Sequence, residues 1–558
     1  MEKVCCPRMP AVVNRHGLGL GTLPEDIVIL VMRAAARLDG ALNECWKQKL
    51  ALLAVCRQWR RLALPLVARE VYFMYGSRSD FVRPLAAVST SAVRVRDEDR
   101  TGPLSSNADI LGSDAYAQVK KSLWVRVFFG SDPLPALAAM LRTVQGARAQ
   151  WASVQSLTFN MSPQARGARD NLPDADIPHE QIARFAQQFA EAFPGIRELR
   201  IDAPYRNEIS RLLYARLTDA YSSQLAKVVC LPPIPCSSIC FSNQLTCLEI
   251  GPFVDGRLPR AVAGSLVSLT LYTLDASYDW SSFAADGSTG QQPIVFANLK
   301  RLWVFFESDR GGSGSSRSVA SMPRVEFPVL ERLCFGDVCG SARFLETARL
   351  PRRMGSLRVR GTYGTFQRLW ATTLPRLDNL SLSMTSGGGG KPAEVLGTLS
   401  QIIARAKPRF GAAVEIEDRE VAVDPAHIAG VQLADLQVAA PTSAETLLAV
   451  LGGQPRIRSL SLANFAPGQV PAEVPVADLA AGGAVELAPF ATQLESLYIE
   501  FRPSLHPAES VLAVAQYVML RTPSLRRVEL RSLPGRSFDA FLQQYRAAYP
   551  HLASILVK

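Results

Sequence analysis

One short pattern recurs through most of this 558-residue chain and constrains its fold more than any other feature. It consists of an apolar residue, two variable residues, and then two apolar residues placed two positions apart. Because successive side chains of a strand point to opposite faces, the last two apolar positions predict a strand with one buried face. Thirteen copies begin at Val154, Ile196, Leu245, Leu266, Leu299, Leu330, Met354, Leu377, Leu433, Ile457, Leu494, Leu525 and Leu552.

Helical patterns lie in several of the intervals, which are mostly 21 to 37 residues long with three wider gaps of 42, 49 and 56. The apolar residues of these patterns are Ile182/Phe185/Phe189/Phe193, Ile209/Leu212/Leu213/Leu217, Leu396/Leu399/Ile403, Val511/Val514/Val518 and Phe538/Leu542/Tyr545. Strands that alternate with helices at this spacing indicate parallel strands. We therefore predict an α/β solenoid over residues 119–558, with parallel strands inside and helices outside.

The N-terminal part of the chain has a different pattern. Residues 21–75 predict a small helical domain, in which Pro24 stands near a helix start and Ile27, Leu30 and Val31 form one apolar face. A second helix is expected from about residue 49 to residue 64, with Trp59 on its apolar side. We expect residues 1–20 to form a flexible tail and residues 76–118 to form a linker or irregular connection.

Two segments of this domain, LPEDIVILVM and KLALLAVCRQWRRLA, resemble an F-box. The matching residues are Leu23, Pro24, Glu25, Ile27, Leu30, Leu52, Val55, Cys56, Trp59 and Leu62. The connection from Arg33 to Gln48 is longer than in that family, and Gln48 stands where an acidic residue is common. The alternative is that Cys56 and Trp59 are simply core residues of a small helical domain. The repeats are similar to the degenerate leucine-rich repeats attached to many F-box proteins, particularly fungal ones.

The resemblance implies a three-helix F-box that docks on the acidic adaptor subunit of a cullin-RING (SCF-type) ubiquitin ligase, followed by repeats that bind a protein substrate. Adaptor contacts are then expected from Leu23, Pro24, Ile27, Leu30, Leu52, Val55, Cys56 and Trp59. The first 75 residues carry a net charge of +5, which suits an acidic partner. The alternative is a repeat scaffold for protein interactions without a ligase role.

Side chains between and just after the paired apolar residues are expected on the concave face of the repeats. They include Arg200, Glu249, Tyr272, Trp303, Phe305, Arg358, Arg360, Tyr498 and Glu529. We expect the substrate to contact Trp303, Phe305, Arg301, Arg332, Arg358, Arg360 and Tyr498. The arginines suggest a basic patch for an acidic or phosphorylated segment. The aromatic side chains could instead be covered by another part of this chain.

Other functional classes find little support in the sequence. The five histidines are scattered, and we expect neither catalysis nor a cofactor. Cys230, Cys236, Cys240 and Cys247 lie within 18 residues but lack paired CxxC arms, so packing is favoured over zinc. Beyond the first 75 residues the net charge is only +6, which argues against a nucleic-acid binder. We find no signal peptide or membrane span and expect a cytoplasmic or nuclear protein with free thiols.

Overall fold

The fold is described from a computed structural model of the chain. The structure describes residues 70–75, 103–106, 122–129, 141, 151–163, 179–202, 208–230, 242–250, 260–274, 293–306, 325–336, 345, 348–385, 392–417, 421, 424–428, 431–465, 489–490, 493–501, 508–531 and 554–557. The F-box-like segments, the tail and the helical pattern at Phe538/Leu542/Tyr545 lie outside these residues. The chain divides into two compact units, residues 1–232 and 233–558.

The first unit contains a mixed sheet. Its elements are β1 (Glu70–Tyr75), β2 (Pro103–Ser106), β3 (Ser122–Phe129), β4 (Ser156–Pro163), α1 (His179–Ala192), β5 (Glu198–Asp202), α2 (Glu208–Tyr221) and β6 (Lys227–Cys230). Strands β1, β3, β4, β5 and β6 pair in parallel in chain order, while β2 pairs antiparallel with β1. Strand β1 is formed by the last residues of the range 21–75, and β2 lies within the range 76–118.

Aromatic side chains fill the core of the first unit. Phe189 of α1 packs against Phe159 and Phe193, with ring centroids 5.5 and 4.6 Å apart. Trp151 meets Phe193 edge to face. Tyr221, at the end of α2, donates a hydrogen bond from its hydroxyl to the carbonyl of Phe193 at 3.1 Å. Burial raises the pKa of Tyr221, so the hydroxyl stays protonated and continues to link the two helices.

The second unit is built on one parallel sheet. Its elements are β7 (Cys247–Ile250), α3 (Arg260–Ala263), β8 (Ser268–Leu274), β9 (Ile294–Val295), β10 (Arg301–Phe306), β11 (Val325–Glu326), β12 (Arg332–Gly336), β13 (Arg353–Gly361), α4 (Tyr363–Ala371), β14 (Arg376–Met384), α5 (Pro392–Ala406), β15 (Ala412–Ile416), α6 (Pro425–Ile428), β16 (Leu433–Val438), α7 (Ala444–Gly453), β17 (Ser459–Phe465), β18 (Ser496–Phe501), α8 (Ala508–Leu520), β19 (Arg527–Arg531) and β20 (Ser554–Val557).

Strands β7, β8, β10 and β12 to β20 pair with their neighbours in chain order, all in parallel. The short strands β9 and β11 form a separate parallel pair. The α/β class with a large parallel sheet, predicted from the alternation of strand and helix patterns, is therefore confirmed. Strands β1, β2, β3, β6, β9, β11 and β15 carry none of the thirteen copies and were not predicted; β15 lies in the widest gap between copies.

The apolar pairs of the repeats lie in register along this sheet. Leu302 pairs with Leu333, which pairs with Leu357, which pairs with Leu380. These four side chains are at most 1% exposed. Helices α4, α5, α6 and α7 contact one another in sequence order, and α4 and α5 also contact β13 and β14. The face of the sheet on which these helices pack is thus the core face. We call the opposite face, which corresponds to the concave face expected from the sequence, the outward face.

A polar side chain just before the first apolar residue of several repeats ties that repeat to the preceding one. Ser265 and Ser524 donate their hydroxyls to the carbonyls of Leu245 and Leu494 at 2.8 Å. The amide of Asn298 donates to the carbonyl of Gly264 at 2.6 Å. These bonds give partners to carbonyl groups that lie outside the strands and link each turn to the next. The sequence analysis did not identify this position.

Replacing Leu357 by Ala should destabilise the second unit by about 2–5 kcal/mol, because the side chain is fully buried between the equivalent leucines of two neighbouring strands. Urea denaturation followed by circular dichroism measures the change. Ser381→Ala, on the outward face of β14, is the control and should shift stability by less than about 0.5 kcal/mol. Equal midpoints for the two variants would contradict the assignment of the two faces.

Candidate functional site

The outward face of β10, β12 and β13 carries the most distinctive group of side chains among the described residues. On β10 these are Arg301, Trp303 and Phe305, which alternate with the buried Leu302 and Val304. The alternation follows from the period of a strand, since each side chain points away from its neighbours' face. This face is where the sequence predicted partner contacts.

Five of the seven predicted substrate-binding residues line one cavity of about 330 Å³ on this face. They are Trp303, Phe305, Arg332, Arg358 and Arg360. Cys334, Gly336 and Ser356 line the same cavity, and sequence reasoning missed them. Cys334 and Gly336 occupy outward positions of β12, so the rule that selected Trp303 could have found them.

Trp303 is the exposed aromatic anchor of the cavity. Trp303 is 44% exposed, although its strand, β10, is paired on both sides, with β8 and with β12. The indole meets the ring of Phe305 edge to face, with centroids 6.3 Å apart. Large aromatic side chains in this situation are the residues that most often anchor protein interfaces.

Gly336 determines where the ring of Phe305 lies. A Cβ atom on Gly336 would stand 2.5 Å from Cδ1 of Phe305. The ring therefore occupies the space that a side chain of β12 would fill, and it lies over the backbone of that strand. A residue without a side chain is what allows Phe305 to form this wall of the cavity.

Two of the four predicted arginines are already paired. Arg358 lies 3.6 Å from a carboxylate oxygen of Glu415, and Arg360 lies 2.8 Å from Glu417. Both glutamates stand two strands away on β15 and at its end, so each pair crosses over β14. The hydroxyl of Ser383 on β14 also donates to Glu417 at 3.5 Å. The basic patch predicted at Arg358 and Arg360 is thus largely compensated within the protein.

The other two arginines, Arg301 and Arg332, are exposed and face each other as Cα partners on β10 and β12. Within the described part of the chain, neither is ion-paired to a carboxylate. Arg332 also lines a second cavity of about 690 Å³ beside the exposed side chains of Val329 and Phe410. Positive charge thus remains at the end of the site where β10 and β12 begin.

Tyr498, the last predicted contact, lies elsewhere, on β18, five strands along the sheet from β13. Its hydroxyl donates to Glu500 at 2.9 Å, and the guanidinium of Arg531 lies 5.2 Å from its ring centroid. Arg531 also pairs at 2.8 Å with Glu529, whose side chain is only 10% exposed. These residues pair with one another in the last repeats, and they do not line the cavity of Trp303.

The remaining predictions for the site have mixed outcomes. Arg200 is exposed on β5 and Glu249 is half-buried on β7, whereas the side chain of Tyr272 and all the predicted adaptor contacts lie outside the described residues. Of the four clustered cysteines, Cys236 and Cys240 also lie outside them. In the part of the chain that the structure describes, no group of three metal-ligating side chains converges, and no helix is long and apolar enough to cross a membrane.

Comparison with known proteins adds no assignment. A scan against models of protein families finds no match for this chain, and a search of the curated proteins finds none either.

The thiol of Cys334 gives a local probe of the cavity. Burial raises its pKa above the ordinary value, and the positive charge of Arg358 opposes that rise. Arg358→Met keeps the apolar stem but removes the charge, so the pKa should rise further and alkylation should require a higher pH. Mass spectrometry of the Cys334 peptide after iodoacetamide treatment over a pH series gives the midpoint. The midpoint of Cys247, on β7, is the internal control and should not move; a lower midpoint at Cys334 would contradict this account.

Proposed function

We propose that this chain is the substrate receptor of a cullin-RING ubiquitin ligase, which holds a protein substrate on the outward face of β10 to β13. The observation that carries the proposal is the exposed Trp303 above a cavity in an otherwise ordered sheet face. The extended face of a solenoid-like array suits the binding of another protein. Ubiquitin transfer belongs to the other subunits of the ligase.

The F-box resemblance supports the ligase half of the proposal. The segments that contain Leu23–Pro24 and Val55–Cys56–Trp59 occur in the family's order, and the strands that carry the recurring pattern follow them later in the chain. The net charge of +5 over residues 1–75 would steer this end of the chain towards an acidic adaptor. The two halves are separable, because they use different residues.

Recombinant adaptor subunit should co-purify with the wild-type chain, and Leu23→Ala/Pro24→Ala should weaken that binding at least about tenfold, since both residues lie at the expected docking contact. Surface plasmon resonance with immobilised adaptor measures the affinity. Trp303→Ala is the matched control and should bind the adaptor as the wild type does, because it alters only the substrate face.

Absence of adaptor binding by the folded wild-type chain would reject the ligase role and leave a repeat scaffold for protein interactions. Equal loss of adaptor binding in Trp303→Ala and in the double variant would place the adaptor contact elsewhere. Circular dichroism of each variant checks that it is folded.

A further inference from the structure

We propose that the outward face of β10 and β12 binds an extended acidic segment of a partner protein. In this arrangement, Arg301 and Arg332 hold a carboxylate or phosphate group, and a bulky apolar side chain two residues away rests against Trp303 and Phe305. This inference rests on the partner-binding half of the proposed function and does not depend on the ligase adaptor.

Two like charges stand side by side on this face. Arg301 and Arg332 are Cα partners on neighbouring parallel strands, whose backbones are about 4.8 Å apart. Both side chains are exposed on the outward face. Like charges at directly opposed positions destabilise a sheet, so an anion placed between the two guanidinium groups relieves repulsion and gains two charge-assisted contacts. The hydroxyl residues Ser268 and Ser356 flank the pair in the same register.

The nearby carboxylates already form ion pairs with other residues. Glu331, next to Arg332 in sequence, pairs with Lys300 at 3.1 Å. Asp378, which lines the second cavity together with Arg332, pairs with Arg353 at 2.7 Å. Since Glu415 and Glu417 pair with Arg358 and Arg360, Arg301 and Arg332 are the arginines of β10, β12 and β13 that no carboxylate of the described residues pairs with.

The spacing between the arginines and the aromatic wall matches that of an extended peptide. Trp303 follows Arg301 by two residues on the same face of β10, which is about 6.6 Å along the strand. An extended peptide repeats its side chains on one face at the same interval. A sequence with an acidic residue, any residue and then a bulky apolar residue therefore places its two side chains on the two halves of the site.

The apolar half of the site has a defined shape. The ring of Phe305 lies over Gly336 because that residue has no Cβ, and together with Trp303 it bounds the cavity of about 330 Å³. Gly336→Ala would push the ring away and change the cavity without changing any charge. This gives a variant that separates the apolar contact from the ionic one.

The test is selection of random ten-residue peptides, displayed on phage, by the purified full-length chain. Enrichment of an acidic residue two positions from a bulky apolar residue is the expected result. Enrichment of another motif, or of none, overturns the proposal. The enriched peptide is then synthesised with Glu, phosphoserine or Ser at the acidic position. Tighter binding of the Glu or phosphoserine peptide than of the Ser peptide supports the anion site, and the tighter of the two shows whether a carboxylate or a phosphate is preferred. Equal binding of the Ser peptide overturns the anion site.

Four variants locate the contact by fluorescence polarisation with the Glu peptide. Arg332→Glu and Trp303→Ala should each weaken binding about tenfold or more, and Gly336→Ala should weaken it while leaving its salt dependence unchanged. Arg526→Glu is the matched control, because it makes the same charge change at an exposed arginine before β19. Equal effects of Arg332→Glu and Arg526→Glu would overturn the proposed site.

The outcome is independent of the ligase role. A chain that selects the acidic motif but fails to bind the adaptor retains this inference and loses the ligase. A chain that binds the adaptor but selects no acidic motif keeps the ligase role and loses the inference.

Discussion

The register of the apolar pairs across the parallel sheet is the constraint on which the rest of the second unit depends. From Leu248 opposite Leu269 to Val528 opposite Ile555, each strand presents an apolar residue to the equivalent position of its neighbour. A slip of one residue would turn every core side chain to the outward face, so burial fixes the register strongly. Because the period is two, fixing the core also fixes which residues face outwards.

That consequence explains how the outward face acquires its chemistry. Because its residues do not pack against the helices, they can be charged or aromatic without disturbing the core. Small residues on β14 then allow long side chains of β13 to reach β15: Ser383 is fully buried beneath Arg360 and Glu417. Such exposed pairs contribute only about 0.2–1 kcal/mol each, so their main effect is to set the local charge.

The sequence predicted the strands of the recurring pattern because that pattern is local and has the period of a strand. It missed β15, where the small Ala412 stands opposite Leu380 at a core position, and β6, where Cys230 ends the apolar pair. It also missed β1, β2, β3, β9 and β11, which carry no copy of the pattern. The pairing of Arg360 with Glu417 could not be predicted, since the two residues are 57 positions apart and belong to different repeats. The turn-side hydrogen bonds of Ser265 and Ser524 were missed for a related reason: their acceptors belong to the preceding repeat. The F-box expectation lies outside the described residues and stays a prediction.

The ion pairs of two of the four arginines affect how selectively this face would bind a partner. A cluster of four uncompensated guanidinium groups would attract any polyanion, including nucleic acid, with little selectivity. Compensation of Arg358 and Arg360 by Glu415 and Glu417 leaves the uncompensated positive charge of β10, β12 and β13 at Arg301 and Arg332, among the described residues. A partner must then match a small cationic site and an apolar wall at a fixed separation, and the compensated pairs beyond them offer no net attraction to a continuous run of negative charge. Selectivity on this face thus comes as much from the charges that are cancelled as from those that remain.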